Sequence, residues 1–560
     1  MSTATASRAF DWFAAHRATL DGARDTIRTR SFWSAYPEGF KSYGEAAPAE
    51  GKAAFEARLG KPFVINQPGT GEHVATERSP FGLELGVAYP VSTPELLVGA
   101  AQAALEGWAT ASIETRAGVL LEALARINAA SVEMAHATMH TTGQPFMMAF
   151  QAGGPHSQDR ALEAIAYAYE EMARVPAQVT WEKPQGKGEP QRIDKRFAIV
   201  PRGIALTIGC STFPNWNGYP GMFASLITGN TVIVKPHMQA VLPLAISIEI
   251  LRAVLFEADF DPNVVQLAVD TPERLLAKEL ALRPEIAIVD YTGGNVFGEW
   301  LEKNAGALVY TEKAGVNAAV IDSTADFKGM TRNLAMSISL YSGQMCTTPQ
   351  NIFVPRAGIQ TDEGHKSFDD VVAGLNAALD ALLGVPERAV ELLGAIATDA
   401  TLERVDAENA KPGVVRPSAA LAHPAFPNAR VRTPLVAKLD AGDVDRYDRE
   451  MFGPIVYVIA VDSTEQGLDL ATSEAQRKGA ITAILHATDP AIIELGEKKA
   501  AEGYVSLGIN LTGSLLVNQS AAFSDYHVSG GNPAGNASLT DAAFVANRFR
   551  IIETRRPATA

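Results

Sequence analysis

The sequence predicts an α/β fold: two parallel-sheet domains of Rossmann type and a small separate β element. Three observations carry this. Short apolar runs alternate with longer helical stretches between Phe197 and Asp290, and the same alternation returns from about Val316 to Leu516. Two strand-like segments, near Val179–Val200 and at the chain's end, belong to neither region. Strands buried on both faces read as continuous apolar runs, and the helices between them are the crossovers that parallel pairing requires.

Taken in order, residues 1–90 mix helical stretches with Gly-, Pro- and Ala-rich loops and hold no motif tied to chemistry. From Thr93 to about Thr142, apolar residues recur at three- and four-residue spacing, which predicts helices packing one face on a core. The runs Ile204–Ile208, Thr231–Val234, Val264–Val269 and Ile286–Val289 are predicted strands of one sheet. Such a sheet takes a nucleotide at the carboxyl ends of its strands. Ile352–Val354, Ile455–Val461 and Ile481–Leu485 are strand candidates of the second region. Val179–Val200 reads as a hairpin with a Gly/Pro turn, and RFRIIETRR near the C-terminus as a strand able to pair outside its own domain.

With 560 residues, the chain is long enough for two to four domains and a substantial core. Its formal charge of −15 repels a phosphate backbone, so no nucleic-acid partner is expected. Cys210 and Cys346 are its two cysteines, too few for a disulfide framework, which points to a reducing compartment with free thiols. No apolar run approaches the roughly 18–20 residues that span a bilayer. The start, MSTATASRAFDWF, lacks a basic segment followed by an apolar one, so a cytoplasmic location is expected, with no membrane partner.

Cys346 lies in SLYSGQMCTTPQ, a small and polar surround in which a thiolate could act as a nucleophile. Upstream, Glu312 ends an apolar run in VYTEKAGVNAAVI. Alone, the first would pass for a small buried residue and the second for a turn carboxylate. Together, behind a nucleotide-binding βαβ region, they suit a thiol that takes up an aldehyde and a carboxylate that activates water to release the acyl group.

At this point the sequence resembles the aldehyde dehydrogenase superfamily over roughly residues 90–560. Gly343-Gln344-Met345-Cys346 matches the family's nucleophile motif and Glu312 in TEKAGVN its base motif, at the usual separation. Glu450-Met451-Phe452-Gly453-Pro454 matches the motif whose Glu holds the nicotinamide ribose. By the same resemblance Lys235, followed by Pro236, contacts the adenosine ribose, and Gly293 and Gly294 open a helix beneath the pyrophosphate. The resemblance assigns residues 91–178 and 201–313 to a cofactor domain and 314–528 to a catalytic domain. It assigns 179–200 and 529–560 to a bridging element of a homodimer or homotetramer, and leaves residues 1–90 an extension of open role.

Two departures stand out. The family's Asn-Phe-Pro motif falls on Thr212-Phe213-Pro214, so the oxyanion-hole Asn is Thr212 here; Asn215 and Asn217 are the possible substitutes. NAD-preferring members usually carry a Glu three positions after the ribose-binding Lys, but Met238 stands there. The cofactor is thus NADP or NAD, with NADP favoured and His237 a further contact for a 2′-phosphate.

Within the superfamily, HTTGQPFMMAFQAGGPHSQDRALEAIAYAYEEM, CSTFPNWNGYPG and SGQMCTTPQNIFVPR resemble the PaaN group of phenylacetic acid degradation. That likeness implies a semialdehyde from aromatic-ring cleavage, carried as a CoA thioester. Two alternatives stand beside hydrolytic oxidation: a CoA-acylating dehydrogenase, which generally lacks a Glu at the position of Glu312, and a non-catalytic binding protein on the same fold. Cys210 is expected to be structural. His136 and His140 have a helical metal-compatible spacing without a third ligand motif, so no metal is expected. Met147, Met148 and Phe150 are candidates for a substrate channel or for core.

Overall fold

A computed structural model describes residues 3–517, 521–539 and 541–558, the side chains of residues 3–7 excepted. Five parallel strands form the first sheet in the spatial order Val265–Leu267, Thr231–Lys235, Ile204–Ile208, Ile286–Thr292, Leu308–Glu312. In chain order this is third, second, first, fourth, fifth, so the winding reverses beside Ile204–Ile208. At such a reversal the loops after neighbouring strands diverge and leave a crevice at their carboxyl ends. The predicted strand Ile286–Val289 continues to Thr292 because Asp290 is satisfied internally: Arg548 donates two hydrogen bonds to its carboxylate, at 2.8 and 2.6 Å. Val264–Val269 shortens to Val265–Leu267, since Pro262–Val264 forms a 3₁₀ turn capped by Asp261.

The second sheet has seven strands in the order Val414–Arg416, Leu435–Asp440, Ile455–Val461, Asn351–Pro355, Ala318–Ile321, Thr482–His486, Ser506–Ile509. All neighbours are parallel except the edge strand Val414–Arg416. Leu308–Glu312 closes the first sheet and Ala318–Ile321 lies inside the second, so Glu312 sits where the chain passes from one to the other.

A third, antiparallel sheet joins Gln178–Gln185 and Gly188–Pro201 with Phe549–Pro557, in register from Phe549 opposite Pro201 to Pro557 opposite Ile193. Its side chains are mostly exposed.

The N-terminal residues are part of the first domain's core. Phe13, Leu20 and Phe55 pack in one apolar cluster with Trp108, Leu120 and Phe223. Helix Thr3–Ala15 lies on Ile113–Ala129, Arg17–Thr29 on Pro155–Ala173, and Ala47–Arg58 on Ser131–Thr142. Gly118 lets the first pair meet: a Cβ there would lie 2.2 Å from the Ala9 carbonyl oxygen. Among the described residues, no helix is long and apolar enough to cross a membrane.

Candidate active site

The loop carrying Cys346 follows helix Phe327–Ser339, and three successive residues in it adopt left-handed backbone: Tyr341 (φ 52°), Ser342 (φ 49°) and Gly343 (φ 65°). For a residue with a side chain this conformation costs on the order of 1 kcal/mol or more. The surroundings hold it in place. Ser342 Oγ donates to the carbonyls of Leu393 (3.1 Å) and Arg432 (3.0 Å), and the Tyr341 hydroxyl donates to that of Thr142. Glycine is required at 343, where a Cβ would also approach the Gly453 oxygen to 2.6 Å. Gln344 accepts from Ala397 N (2.8 Å) and donates to Ala395 O (3.1 Å). Asn317 donates to the carbonyls of Cys346 (2.7 Å) and Thr348 (3.1 Å) and accepts from the amides of Ile481 (2.9 Å) and Thr482 (3.1 Å). The loop carrying Cys346 is therefore held from both domains.

Glu312, at the end of its strand, is 2% exposed. Asn217 Nδ2 donates to its Oε2 at 2.9 Å, and its Oε1 lies 3.1 Å from His527 Nε2. The same His527 nitrogen is 3.7 Å from Cys346 Sγ. Carboxylate, imidazole and thiol thus share one buried corner, with Trp216 edge-on to the imidazole at 4.5 Å between ring centres. Burial first, and then the negative charge of Glu312, push the Cys346 thiol well above its ordinary range.

Cys346, Asn217 and His527 open onto a cavity of ≈ 490 Å³. Its walls are largely apolar, with Phe32, Trp33, Met147, Met148, Trp216 and Leu516 prominent. Its charged or titratable lining comprises Glu38, Asp159, Glu391 and His156 besides His527; among the described lining residues there is no Lys or Arg. Phe32 and Trp33 come from the N-terminal segment, pinned there by Asp159, which accepts hydrogen bonds from Ala35 N (3.0 Å) and Ser34 Oγ. Burial raises the Asp159 carboxyl to about 7. The segment whose sequence held no legible role thus forms part of the cavity wall.

The residues expected at the cofactor lie in two places, at the carboxyl ends of first-sheet strands and beside a smaller cavity. Lys235 is buried at the end of its strand and ion-paired with Asp270. Burial, and then the charge of Lys235, pull His237 down to about 4, so its ring is neutral near pH 7. Its Nδ1 accepts from Gln239 N at 3.2 Å, which leaves the proton on Nε2. In the ligand-free chain His237 brings no positive charge of its own to a 2′-phosphate, and Nε2–H is the donor it offers. Pro236 directs the chain out of the strand between them. Gly293 N donates to the Glu312 carbonyl at 3.0 Å, and Gly294 caps helix Asn295–Asn304 without a side-chain acceptor, leaving first-turn amides free for an anion. Glu450 and Phe452 line a smaller cavity beside Gly315 and Asn317, and Met345 borders both cavities. Burial raises the Glu450 carboxyl to about 7 despite a hydrogen bond from Gly315 N, and in either protonation state it retains oxygen acceptors for a hydroxyl such as a ribose's. This donor set and the uncapped helix fit a dinucleotide.

Thr212 departs from expectation. Its hydroxyl lies 4.0 Å from Cys210 Sγ, and it is absent from the described lining of the main cavity, whereas Asn217 is present. Asn215 turns away and donates to Gly153 O at 3.1 Å. Helix Pro214–Ile227 begins immediately after Phe213, so Asn217, one turn in, is the side chain brought to the site. Cys210 donates to Asn217 Oδ1 at 3.6 Å. His136 and His140 stack on Phe55, and His140 Nδ1 lies 3.0 Å from Ser79 Oγ. Met147 and Met148 line the cavity while Phe150 is buried core. Two roles were not legible in sequence: that of His527, an isolated His in a loop far along the chain, and that of Asn317, which closes the stretch TEKAGVN but carried no assigned contact there.

The profile of the Aldehyde dehydrogenase family matches residues 92–492. The chain belongs to this family. Its fold superposes on the crystal structure of the NAD-dependent aldehyde dehydrogenase from Burkholderia multivorans with a TM-score of 0.97 and 55% identity, covering 98% of this chain and 99% of that one. It is 25% identical over 425 residues to N-succinylglutamate 5-semialdehyde dehydrogenase of Paraburkholderia xenovorans, covering 74% of this chain and 79% of that protein. The NADP-dependent glyceraldehyde-3-phosphate dehydrogenase of Bacillus halodurans shares the fold at a TM-score of 0.68 and 19% identity, over 87% of this chain and 96% of that one. Oxidation of an aldehyde is the reaction of this family member.

Proposed function

We propose that Cys346 is the nucleophile and Glu312 the base of a hydrolytic aldehyde oxidation. The Cys346 thiol gives up its proton to solvent, and Sγ adds to the aldehyde carbon, forming a C–S bond as the C=O π bond opens to an oxyanion. When bound, the nicotinamide of NAD or NADP accepts the hydride that carbon must lose to become a thioester. Glu312 then takes a proton from water as the water oxygen attacks the thioester carbon, the C–S bond breaks, and the acid leaves. Asn217 Nδ2 and His527 hold the carboxylate between them. Asn217, rather than Thr212, is the side chain available to meet the oxyanion. The observation that carries this reading is the shared corner: Glu312 and Cys346 both reach the one His527 nitrogen beside the main cavity.

Lys235, Gly293, Gly294, Glu450 and Phe452 are proposed to hold the dinucleotide. The neutral state of His237 weakens the case for a 2′-phosphate, and the 55%-identical neighbour is NAD-dependent. Both cofactors therefore belong in the test.

For the substrate, the likeness to the PaaN group points to a CoA-linked semialdehyde of aromatic-acid breakdown. The cavity supports an uncharged chain next to the aldehyde: a carboxylate there would meet Glu38, Asp159 or Glu391 and no described cation. The exposed sheet of Val179–Val200 and Phe549–Pro557 carries exposed Val179, Trp181, Ile551 and Ile552, which suits pairing with a second copy in a homodimer or homotetramer. A cytoplasmic location agrees with both cysteines being free thiols.

The test is single-turnover formation of NADH and NADPH from a panel of free and CoA-linked aldehydes, with and without free CoA. Reduced cofactor from wild type and not from Cys346→Ala, independent of free CoA, is the expected result. A requirement for free CoA would replace hydrolysis by acyl transfer, and activity in Cys346→Ala would overturn the assignment.

A further inference from the structure

We propose that Cys346, His527 and Glu312 also form a site for a zinc-class divalent ion, and that filling it reversibly silences the enzyme. The three residues offer one soft sulfur, one imidazole nitrogen and one carboxylate oxygen, all within 4.8 Å of one another. A tetrahedral zinc ion with its usual bond lengths sets sulfur and nitrogen about 3.5 Å apart, and nitrogen and oxygen about 3.3 Å apart. The distances here are 3.7 Å from Sγ to Nε2 and 3.1 Å from Nε2 to Oε1. The ligands are therefore spaced for the ion with shifts of a few tenths of an ångström.

The surroundings suit it as well. His527 and Glu312 are 3% and 2% exposed, and the fourth position faces the open cavity, where water would complete the set. Asn217 Nδ2 already orients the carboxylate from behind through Oε2, leaving Oε1 for the metal. Cys346 Sγ lies within 4.8 Å of a Glu312 carboxylate oxygen, whose charge opposes a bare thiolate. A dication cancels that repulsion: the S–Zn bond forms and the thiol proton leaves to solvent. The sulfur lone pair needed for attack on the aldehyde is then committed, and Glu312 can no longer accept a proton from water. The imidazole separates this site from an ordinary reactive cysteine, which would take up metal with the thiol alone.

The experiment is a Co²⁺ titration of the metal-free full-length protein, followed by the thiolate-to-cobalt absorption band and then by displacement with Zn²⁺. Wild type should bind one equivalent with a single-thiolate, four-coordinate spectrum, and Zn²⁺ should displace it. Cys346→Ala should lose the band. His527→Ala and the bulkier His527→Gln should each weaken binding by on the order of 100-fold. In parallel, Zn²⁺ should stop aldehyde oxidation by wild type, and EDTA should restore it. Wild type without the band, His527 variants that bind as wild type does, or a zinc-loaded enzyme that still turns over would each overturn the proposal. The spectroscopic readout needs no substrate, so a failure of the catalytic assignment would not be mistaken for a failure of metal binding.

Discussion

At the scale of single residues, the site is governed by one buried negative charge. Glu312 accepts from Asn217 and faces both His527 and Cys346, and its charge adds to burial, the larger effect, in holding the thiol above its ordinary range. Removing that charge while keeping the shape should favour the thiolate. In Glu312→Gln, the midpoint of the pH profile for iodoacetamide alkylation of Cys346 should therefore move down, while burial still holds it above that of a free cysteine. An unchanged or higher midpoint would contradict the electrostatic reading. Cys346 and Glu312 were legible in the sequence because local motifs at a fixed separation mark them. His527 was not: it reaches Cys346 from 181 residues further along, in a loop without periodicity. Thr212 stands outside the described lining of the main cavity, because sequence register locates a position in the loop and not the direction its side chain takes. Helix Pro214–Ile227 decides that direction, and it presents Asn217.

At the scale of elements, the strands were legible because parallel strands with both faces covered read as unbroken apolar runs. Ile204–Ile208 and Ile455–Val461 needed no adjustment. The strand Ile286–Thr292 outran its apolar run because a distant residue satisfies its polar end. Arg548, fully buried just before the terminal strand Phe549–Pro557, donates to both oxygens of Asp290 and to Ser225 Oγ. This pair anchors the third sheet to the first. Breaking a buried ion pair on one side strands the other charge and costs about 3–5 kcal/mol. Asp290→Ala should lose about that much stability in urea denaturation followed by far-UV circular dichroism, and a loss below ~1 kcal/mol would contradict the anchoring role.

At the scale of the whole molecule, buried carboxyl groups set the response to pH. Burial raises Glu77, Asp159, Glu163 and Glu450 to about 7 and Glu474 to about 8, from ordinary values of 4.5 for Glu and 3.8 for Asp. Between those limits the folded chain binds more protons than the unfolded one, so unfolding free energy falls as pH rises. Their contribution is complete below about 4 and is lost as pH passes 7 to 8. Ion-paired carboxyls such as Glu122, Glu170 and Asp448, held below their ordinary range, act in the opposite sense and withdraw stability under acid conditions. The urea midpoint should accordingly be higher near pH 5.5 than at pH 8.5, and a flat or rising profile would contradict this balance. The N-terminal extension also belongs to this scale. Its helices are short and its cavity-lining residues, Phe32 and Trp33, carry no motif. Their role emerges only when Asp159, on a distant helix, fixes the Ser34–Ala35 backbone against the cavity.

The proposed mechanism places on Cys346 a covalent acyl group that Glu312 releases, and intact-protein and peptide mass spectrometry after acid quench of one turnover with oxidised cofactor and aldehyde detects it. In Glu312→Gln, the acyl mass should accumulate on the peptide containing Cys346, with reduced cofactor formed in equal amount. Reduced cofactor without an adduct on Cys346, or an adduct on another residue, would rule out a Cys346 thioester.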